Sequence, residues 1–388
     1  MKMNSLEESL DALRAVEQRH PFWTSSLLQA SGAGALTRED FRFVFSQYYF
    51  YSKNFTRYLA ALMANCDNDL YRSRLTQNLW EEAGGDRAEK RHAELFRDFL
   101  KEGLGIEPEA IQYEDYTVHF VQSFLDLCFR SPPIVSAAAL SLGTEGLVPR
   151  LYAIFLEALR NAGVREEHLE FFRIHIGCDD GHAATLESLL LSYAGEHAWF
   201  ETARQGMENT LSLRRCFFEN LFSSVRMRRL LPVLERIQAA TSLAPEHAVK
   251  AGFHHRTEGR RMYANRDDKQ NIQFTVDRIP INADVLDPRM VRIPPGKNNE
   301  YHRHAHETLM YVLSGGARVL IDGAAIQARE GDVVYVPRWA LHQTHNAGDG
   351  ELRILAVTDF GLATRAFVGA YQHREKEQDE RAMNERST

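Results

Sequence analysis

The amino-acid sequence predicts an α + β multidomain protein, with an N-terminal seven-helix bundle followed by a C-terminal β-barrel or jelly roll. Its 388 residues exceed the roughly 100–200 residues of one typical domain. Helical periodicity runs through the first part of the chain, whereas short β-rich runs between Pro, Gly and Asp turns dominate the last part. We therefore expect a helical domain at 1–225, a partly helical linker at 226–267, a β domain at 268–372 and a polar tail at 373–388.

The composition excludes several classes of protein. Hydrophobic residues make up 44% and charged residues 26%, unlike collagen-like, coiled-coil or disordered chains. The net charge of -7 provides no general positive field, so no nucleic-acid partner is expected. No signal peptide is recognisable, and no apolar stretch approaches the roughly 20 residues that cross a bilayer, so no membrane partner is expected. The four cysteines form no C-x-x-C pair, which favours a reducing cytoplasm.

The helices are predicted from apolar residues at helical spacing and from the Pro and Gly residues that end them. The first long helix extends from Asp40 to Cys66, with Thr37 as its N-cap. The remaining helices are Leu70–Glu82, Arg87–Leu104, Tyr116–Phe129, Pro133–Asn161, Arg165–Tyr193 and Trp199–Val225.

The strands of the second domain are predicted from β-branched and apolar runs bounded by turn residues. They are Ile272–Val276, Met290–Ile293, Met310–Leu313, Val319–Ile321, Val333–Val336 and Leu352–Val357. Their close spacing is typical of a small barrel or jelly roll.

One helical segment concentrates metal-ligating residue types. Within the run HIGCDDGH, a rotation of about 100° per residue places Asp179 about 40° from His175, and His182 about 20° away on the other side. Two imidazoles and a carboxylate on one face suit iron, manganese or zinc, and helix bundles build dinuclear sites from such sets. A solvated polar helix face is the alternative.

Two other segments add carboxylates and a histidine. Glu82 ends one predicted helix and His92 lies on the next, so a shared site requires the chain to bend at Gly84-Gly85. Glu145 lies between glycines in an apolar helix, where a carboxylate is costly unless it is paired or coordinated. A cap on a neighbouring helix, or a pair with Arg150, is the alternative for this glutamate.

Over residues 5–225 the sequence resembles the haem-oxygenase-like diiron oxidases in the order and spacing of six residues. These are Glu82, His92, Glu145, His175, Asp179 and His182. The resemblance implies a seven-helix fold in which the six residues are catalytic and hold two Fe(II) ions that activate O2. Members of this family N-oxygenate amines or guanidines, or cleave C–C bonds of fatty or amino acids. Some carry a further glutamate ligand, for which this chain has no acidic residue between Asp40 and Asp67.

Two motifs in the C-terminal part resemble those of the cupin superfamily over residues 270–365. They are G-x5-H-x-H-x3-T-x6-G, starting at Gly296, and G-x5-P-x4-H-x3-N, starting at Gly331. Because side chains alternate along a strand, His302 and His304 point to the same side, and His342 joins them from a second strand. Three imidazoles suit Fe(II), Ni(II), Cu(II) or Mn(II), with positions open for O2 or substrate.

The usual glutamate ligand of the cupin motif is Thr308 in this chain, which predicts a three-histidine site. His306 shares the inward face and is a candidate fourth ligand or substrate base. A cupin that binds a small molecule without redox chemistry is the alternative.

The combination of domains resembles the nitrosourea-forming enzymes of streptozotocin-type biosynthesis. This resemblance implies an O2-dependent N-oxygenase of secondary metabolism that acts on an amino-acid-derived amine, guanidine or amino-heterocycle. The cupin iron would then catalyse a second oxidation or a rearrangement. One alternative is a diiron oxidase that cleaves C–C bonds or desaturates an acyl or amino acid substrate. Another is a cupin metabolite sensor with a degenerate helical domain.

We expect two Fe(II) ions in the helical domain and one in the cupin, together with O2. An external reductant is implied because the sequence has no flavin or nicotinamide motif. The expected partners are a small-molecule substrate and, from the resemblance, a second copy of the chain in a homodimer. The expected location is the cytoplasm.

Overall fold

The computed structural model describes residues 6–177, 181–238, 259–281, 283–366 and 371–373. The chain divides into two compact units, with the boundary between Val225 and Arg226. The first is helical and the second is built on antiparallel sheets, which confirms the predicted α + β fold. Cys178, Asp179 and Asp180 lie outside the described residues, as does the predicted polar tail beyond residue 373.

Twelve α-helices precede the first strand in the described part of the chain. They are α1 (Leu6–Arg19), α2 (Ser26–Gly32), α3 (Arg38–Ser52), α4 (Phe55–Asn65), α5 (Asp69–Glu82), α6 (His92–Asp98), α7 (Asp115–Arg130), α8 (Pro133–Ser141), α9 (Val148–Asn161), α10 (Glu170–Gly177), α11 (Gly181–Ser192) and α12 (Trp199–Gln238). No helix in these ranges combines the length and the apolar character needed to cross a membrane.

Helix α3 shows how the sequence builds the helical core. Its N-cap is Thr37, as the sequence predicts, and Thr37 and Asp40 exchange side-chain to backbone hydrogen bonds in a capping box. Its Phe45 is fully buried, and each such ring contributes roughly 1.5–3 kcal/mol to the free energy of unfolding. The ring of Phe45 contacts those of Phe96, Phe99, Phe155 and Phe172.

The helix predicted from Pro133 to Asn161 is interrupted where Glu145 lies. Helix α8 ends at Ser141 and α9 begins at Val148, and the 3-10 turn Glu145–Leu147 lies between them. The hydroxyl of Thr144 donates a hydrogen bond back to the Ala139 carbonyl, and such side-chain bonds compete with helix continuation. Glu145 therefore starts a turn and does not lie within a helix.

Other predicted helices differ in extent. The helix expected at 40–66 is divided into α3 and α4, and the one expected at 165–193 is divided into α10 and α11. Conversely, α12 continues beyond residue 225 to Gln238. The structure therefore contains more and shorter helices than the seven predicted.

The second unit contains eleven described strands and one helix, α13 (Phe360–Arg365). The strands are β1 (Arg260–Asp267), β2 (Ile272–Arg278), β3 (Asp287–Ile293), β4 (His302–His304), β5 (Thr308–Ser314), β6 (Gly316–Ile321), β7 (Ala324–Arg329), β8 (Val333–Val336), β9 (His342–Asn346), β10 (Leu352–Thr358) and β11 (Tyr371–His373). All six predicted strands lie within this set.

Two sheets enclose one apolar core. Their strand orders are β1-β2-β3-β10-β5-β8 and β11-β4-β9-β6-β7. The core includes Phe274 from β2 and Val312 from β5 in the first sheet, with Val319 from β6 in the second. This arrangement of antiparallel strands around a shared core is the predicted jelly-roll type of architecture.

The first sheet begins earlier than the sequence predicts. Strand β1 lies inside the segment 226–267, which was expected to be a linker, and it pairs with β2. Its sequence RRMYANRD is mostly exposed, because β1 is at the edge of its sheet. An edge strand with polar side chains lacks the apolar alternation that identifies inner strands.

Candidate metal centres

A glycine turn brings Glu82 and His92 together. Helix α5 ends at Glu82 and α6 begins at His92. Gly84 has φ +89°, and a Cβ at this position would lie 2.7 Å from the Arg91 backbone nitrogen and would also meet the Arg87 carbonyl. Only glycine fits such a turn without strain. The bend that the sequence requires is present, and Nδ1 of His92 lies 2.8 Å from Oε2 of Glu82.

His175, near the end of α10, lies next to His92. Its Nδ1 donates a hydrogen bond of 2.6 Å to the Phe171 carbonyl, so Nε2 carries the lone pair of the neutral ring. This Nε2 lies 3.2 Å from Nδ1 of His92. Burial, and then the neighbouring His92, lower the pKa of His175 to about 4. The ring is therefore neutral, as a metal ligand must be.

His182, in α11, contacts two carboxylates. Its Nε2 lies 2.6 Å from Oε2 of Glu81, and its Nδ1 lies 3.3 Å from Oε1 of Glu82. Burial raises the pKa of Glu82, but hydrogen bonds from His182 and His92 outweigh burial and lower it overall. Glu82 is thus a buried carboxylate between two imidazoles, and Glu81 orients one of them from outside.

Glu145 lines the same small cavity, of about 40 Å³, as Glu82, His92 and His175. Arg150, its alternative partner, packs over the ring of Trp23 at 3.9 Å. The structure therefore brings Glu82, His92, Glu145 and His175 to one cavity, with His182 in contact with Glu82. Asp179, the sixth predicted ligand, lies outside the described residues.

This donor set has the chemistry of a divalent metal site and metal-like spacing between neighbouring donors, but no three of its described donor atoms all lie within 4.8 Å of one another. Adjacent ligands of a six-coordinate ion with bonds of roughly 2.1 Å are roughly 3 Å apart. The pairs His92–Glu82, His175–His92 and His182–Glu82 are separated by 2.8, 3.2 and 3.3 Å. Mixed imidazole and carboxylate donors of this kind suit Fe(II).

The second unit brings three histidines together. His302 and His304 are buried on β4 while Arg303 between them is exposed, as strand alternation predicts. His342 on β9 is paired in register with His302. Among the described residues, these three form the one group of metal-competent side chains whose ligand atoms lie within 4.8 Å of one another.

Backbone carbonyls fix the orientation of all three rings. Nδ1 of each donates a hydrogen bond of 2.9 Å, from His302 to Glu300, from His304 to His306 and from His342 to Ala340. Since a carbonyl only accepts, Nε2 of each neutral ring carries the lone pair. Burial lowers the pKa of His304 to about 3, with His306 contributing, and burial also lowers the pKa of His342. The three residues fit a metal site to which the protein contributes three histidine ligands.

His306 and Thr308 occupy other positions in the cavity of the second unit, which has a volume of about 390 Å³ and is also lined by the three histidines. The ring of His306 stacks on His304 with centroids 3.6 Å apart, and His306 lies outside the group of three. Thr308 stands where cupins usually have a glutamate ligand. Its buried hydroxyl has no hydrogen-bond partner in the described part of the chain. The hydroxyl is available to a bound molecule.

Two arginines that the sequence analysis does not single out line the two cavities. Arg214 lines the cavity of the helical unit, and Arg289 lines the cavity of the second unit. On α12, Arg214 shares a helical face with the buried Leu211 and Phe218. On β3, Arg289 is in phase with the buried Ile293. A charged residue in phase with core residues is the signal that identifies both.

Both units match known protein families. Residues 42–215 match the haem-oxygenase-like family described as iron-containing redox enzyme, and residues 289–358 match the cupin domain family. The chain therefore combines a haem-oxygenase-like iron redox enzyme domain with a C-terminal cupin domain.

Three curated relatives support an iron oxidoreductase. The 4-aminobenzoate synthase of Chlamydia pneumoniae is 25% identical over 57% of this chain and 97% of its own length. The 4-chloro-allylglycine synthase of Streptantibioticus cattleyicolor is 22% identical over 56% of this chain and 83% of its own length. The gentisate 1,2-dioxygenase of a Streptomyces species is 31% identical over 22% of this chain and 24% of its own length. With the family matches, these relatives identify the chain as an iron oxidoreductase.

Proposed function

We propose that the helical unit is a diiron oxygenase that uses O2 to oxidise a nitrogen of an amino-acid-derived amine, guanidine or amino-heterocycle. Its two irons would be held by Glu82, His92, Glu145, His175, Asp179 and His182. The observation that carries the proposal is the convergence of the buried Glu82 with the half-buried His92, Glu145 and His175 on one cavity of an iron redox domain. Bound Fe(II) supplies electrons and open coordination positions for O2, with an external reductant restoring the electrons.

The protein's own groups hold these side chains in a binding geometry. The Phe171 carbonyl orients His175 so that its Nε2 faces His92, and Glu81 orients His182 so that its Nδ1 faces Glu82. The buried rings of Tyr48 and Tyr152 lie in the cavity wall and exclude water from the reacting groups.

We further propose that His302, His304 and His342 hold a third iron, which carries out a second oxidation or a rearrangement of the product. The support is the set of three Nδ1–carbonyl hydrogen bonds, which orient all three rings for metal binding. Burial, together with Arg289, lowers the pKa of His306 to about 3, so its ring is neutral. Since it stacks on His304 and lies outside the group of three, His306 is better placed to contact the substrate through its neutral ring than to bind the metal.

Iron content after anaerobic Fe(II) loading tests both sites. We expect about three irons per wild-type chain, about one or two in His175→Ala and about two in His302→Ala. The matched control is His119→Ala, because His119 lies on α7 and is not among the cavity residues. About one iron that survives loss of His175 and disappears with loss of His302 would overturn the diiron proposal and favour the sensor hypothesis.

A second candidate reaction is supported by the relative that is named for 4-chloro-allylglycine, an unsaturated amino acid. In this alternative the same diiron site cleaves a C–C bond or desaturates an acyl or amino acid substrate. Mass spectrometry of products formed under 18O2 from a panel of amino acids and fatty acids distinguishes the two. N-oxygenation gives an 18O-labelled product with an intact carbon skeleton, whereas the alternative gives an unlabelled alkene or a shortened chain.

A further inference from the structure

Arg214 is a fully buried cation in the wall of the helical cavity. It is 1% exposed and is among the largest fully buried side chains of the described chain. The same cavity is lined by Glu82, His92, Glu145 and His175. An arginine is almost never fully buried unless its charge is paired. The cavity is therefore the place to look for the partner of this charge.

The observed partners of Arg214 are all neutral. Nε donates a hydrogen bond of 2.9 Å to the Gly143 carbonyl, and Nη2 donates 3.0 Å to the Thr144 hydroxyl. Nη2 also donates to the hydroxyl of Tyr51, whose ring centroid lies 4.6 Å from the guanidinium carbon. Burial raises the pKa of Tyr51 and of Tyr48, so neither phenol supplies a negative charge.

Within the described ranges, no carboxylate forms an ion pair with Arg214. Glu82 and Glu145 line the same cavity, but the proposed function assigns both to iron. Bound iron would add positive charge next to the guanidinium, which increases the demand for an anion. A planar guanidinium pairs with a carboxylate or a phosphate through two parallel hydrogen bonds, and the amino-acid-derived substrate of the proposed function supplies a carboxylate.

We propose that Arg214 is the specificity-determining residue of the helical site and binds the carboxylate of the amino-acid-derived substrate. This inference rests on the proposed function, because it places the carboxylate beside the diiron ligands. Arg214 thus determines specificity by charge, and the rest of the substrate carries the group that is oxidised.

The hydrogen bonds to Gly143 and Thr144 give a competing explanation. They also stabilise the turn that carries Glu145, so Arg214 is the positioning residue for that ligand in a purely structural account. The two accounts differ in what Arg214→Gln changes. Loss of a positioning residue lowers the iron content, whereas loss of a carboxylate partner lowers the affinity for anions at unchanged iron content.

The test uses formate as the smallest carboxylate and formamide as its uncharged counterpart. Both are titrated by calorimetry into full-length, anaerobically Fe(II)-loaded protein with the His302→Ala substitution, which removes the proposed cupin iron. We expect formate to bind at least tenfold more tightly than formamide. Arg214→Gln should weaken formate binding at least tenfold, with two irons retained, and Arg214→Lys should weaken it less. Arg215→Gln, the exposed neighbour on α12, is the matched control and should change neither quantity.

Two results would overturn the inference. One is equal affinity for formate and formamide in the protein that keeps Arg214. This comparison does not depend on whether Arg214→Gln folds. The other is unchanged formate affinity in an Arg214→Gln protein that retains its irons. Failure of the helical unit to load iron is a different outcome, since it contradicts the proposed function itself.

Discussion

A neutral histidine binds a metal through the ring nitrogen that has no proton, and hydrogen bonds in this chain select that nitrogen. Backbone carbonyls do so for His175 in the helical unit and for His302, His304 and His342 in the cupin. The side chains of His182 and His92 instead contact other side chains, Glu81 for His182 and Glu82 for His92. Because carbonyl positions follow from the local backbone, the ring orientations are built into the strands and helices that carry them.

Thr308 provides a test at the scale of one atom. Its buried hydroxyl lacks a hydrogen-bond partner in the described structure, whereas the hydroxyl of Thr358 donates to the Asp287 carbonyl. The two residues face each other on β5 and β10 and line the same cavity. We predict that Thr308→Val raises the free energy of unfolding of the metal-free cupin unit by about 1 kcal/mol, because it removes an unsatisfied polar group.

The control, Thr358→Val, should lower that free energy by about 1 kcal/mol, because it removes the donor to the Asp287 carbonyl and the acceptor of the Phe360 N–H. Urea denaturation of the full chain, followed through the cupin transition, measures both changes. Equal destabilisation by the two substitutions would mean that the Thr308 hydroxyl is satisfied in the folded protein. A more stable Thr308→Val protein that has lost turnover would assign the hydroxyl to substrate binding.

The turn between α5 and α6 provides a test at the scale of an element. Gly84 and Gly163 both have positive φ, +89° and +81°, but a Cβ meets backbone atoms at Gly84 and open space at Gly163. We predict that Gly163→Ala lowers the free energy of unfolding by about 1 kcal/mol. Gly84→Ala should cost more and should also lower the iron content of the helical unit, because His92 follows this turn.

Unfolding in denaturant and iron analysis of both variants, after anaerobic loading, provide the measurements. If Gly84→Ala retains its full iron content, the turn does not control the position of His92. If Gly163→Ala costs as much as Gly84→Ala, the backbone contacts at Gly84 have no effect beyond the positive φ.

The elements also show what the sequence can predict. Strong local signals were sufficient for the cap of α3, for the bend at Gly84-Gly85 and for the alternation at His302 and His304. The interruption before Glu145 was missed, because the run around it is apolar and the competing Thr144 hydrogen bond depends on geometry. Strand β1 was missed because an exposed edge strand has no apolar pattern.

Which residues from distant parts of the sequence lie together could be predicted only where a resemblance to a known family indicated it. Helical spacing alone places His175, Asp179 and His182 on one face, but it does not bring Glu82 or Glu145 to them. The cavity positions of Arg214 and Arg289 depend on packing between elements distant in sequence, which periodicity does not reveal. Residue types and spacing therefore indicate candidate metal ligands more readily than they indicate the other residues that line a cavity.

At the scale of the whole molecule, each unit has its own apolar core and its own candidate metal centre. Calorimetry of the metal-free full chain should therefore resolve two unfolding transitions. Iron that binds only the folded state stabilises it by about 2.7 kcal/mol when free iron is 100 times the dissociation constant. We predict that anaerobic Fe(II) raises the midpoints of both transitions in the wild type.

The two histidine variants serve as reciprocal controls. In His302→Ala only the helical transition should shift with iron, and in His175→Ala the cupin transition should keep its full shift while the helical shift shrinks. A single transition in every sample would contradict separate folding units. If His302→Ala abolished the iron-dependent shift of both transitions, the helical unit would not bind iron independently. If each variant instead loses the iron-dependent shift of only its own unit, one chain carries two metal centres, and each centre stabilises the unit that contains it.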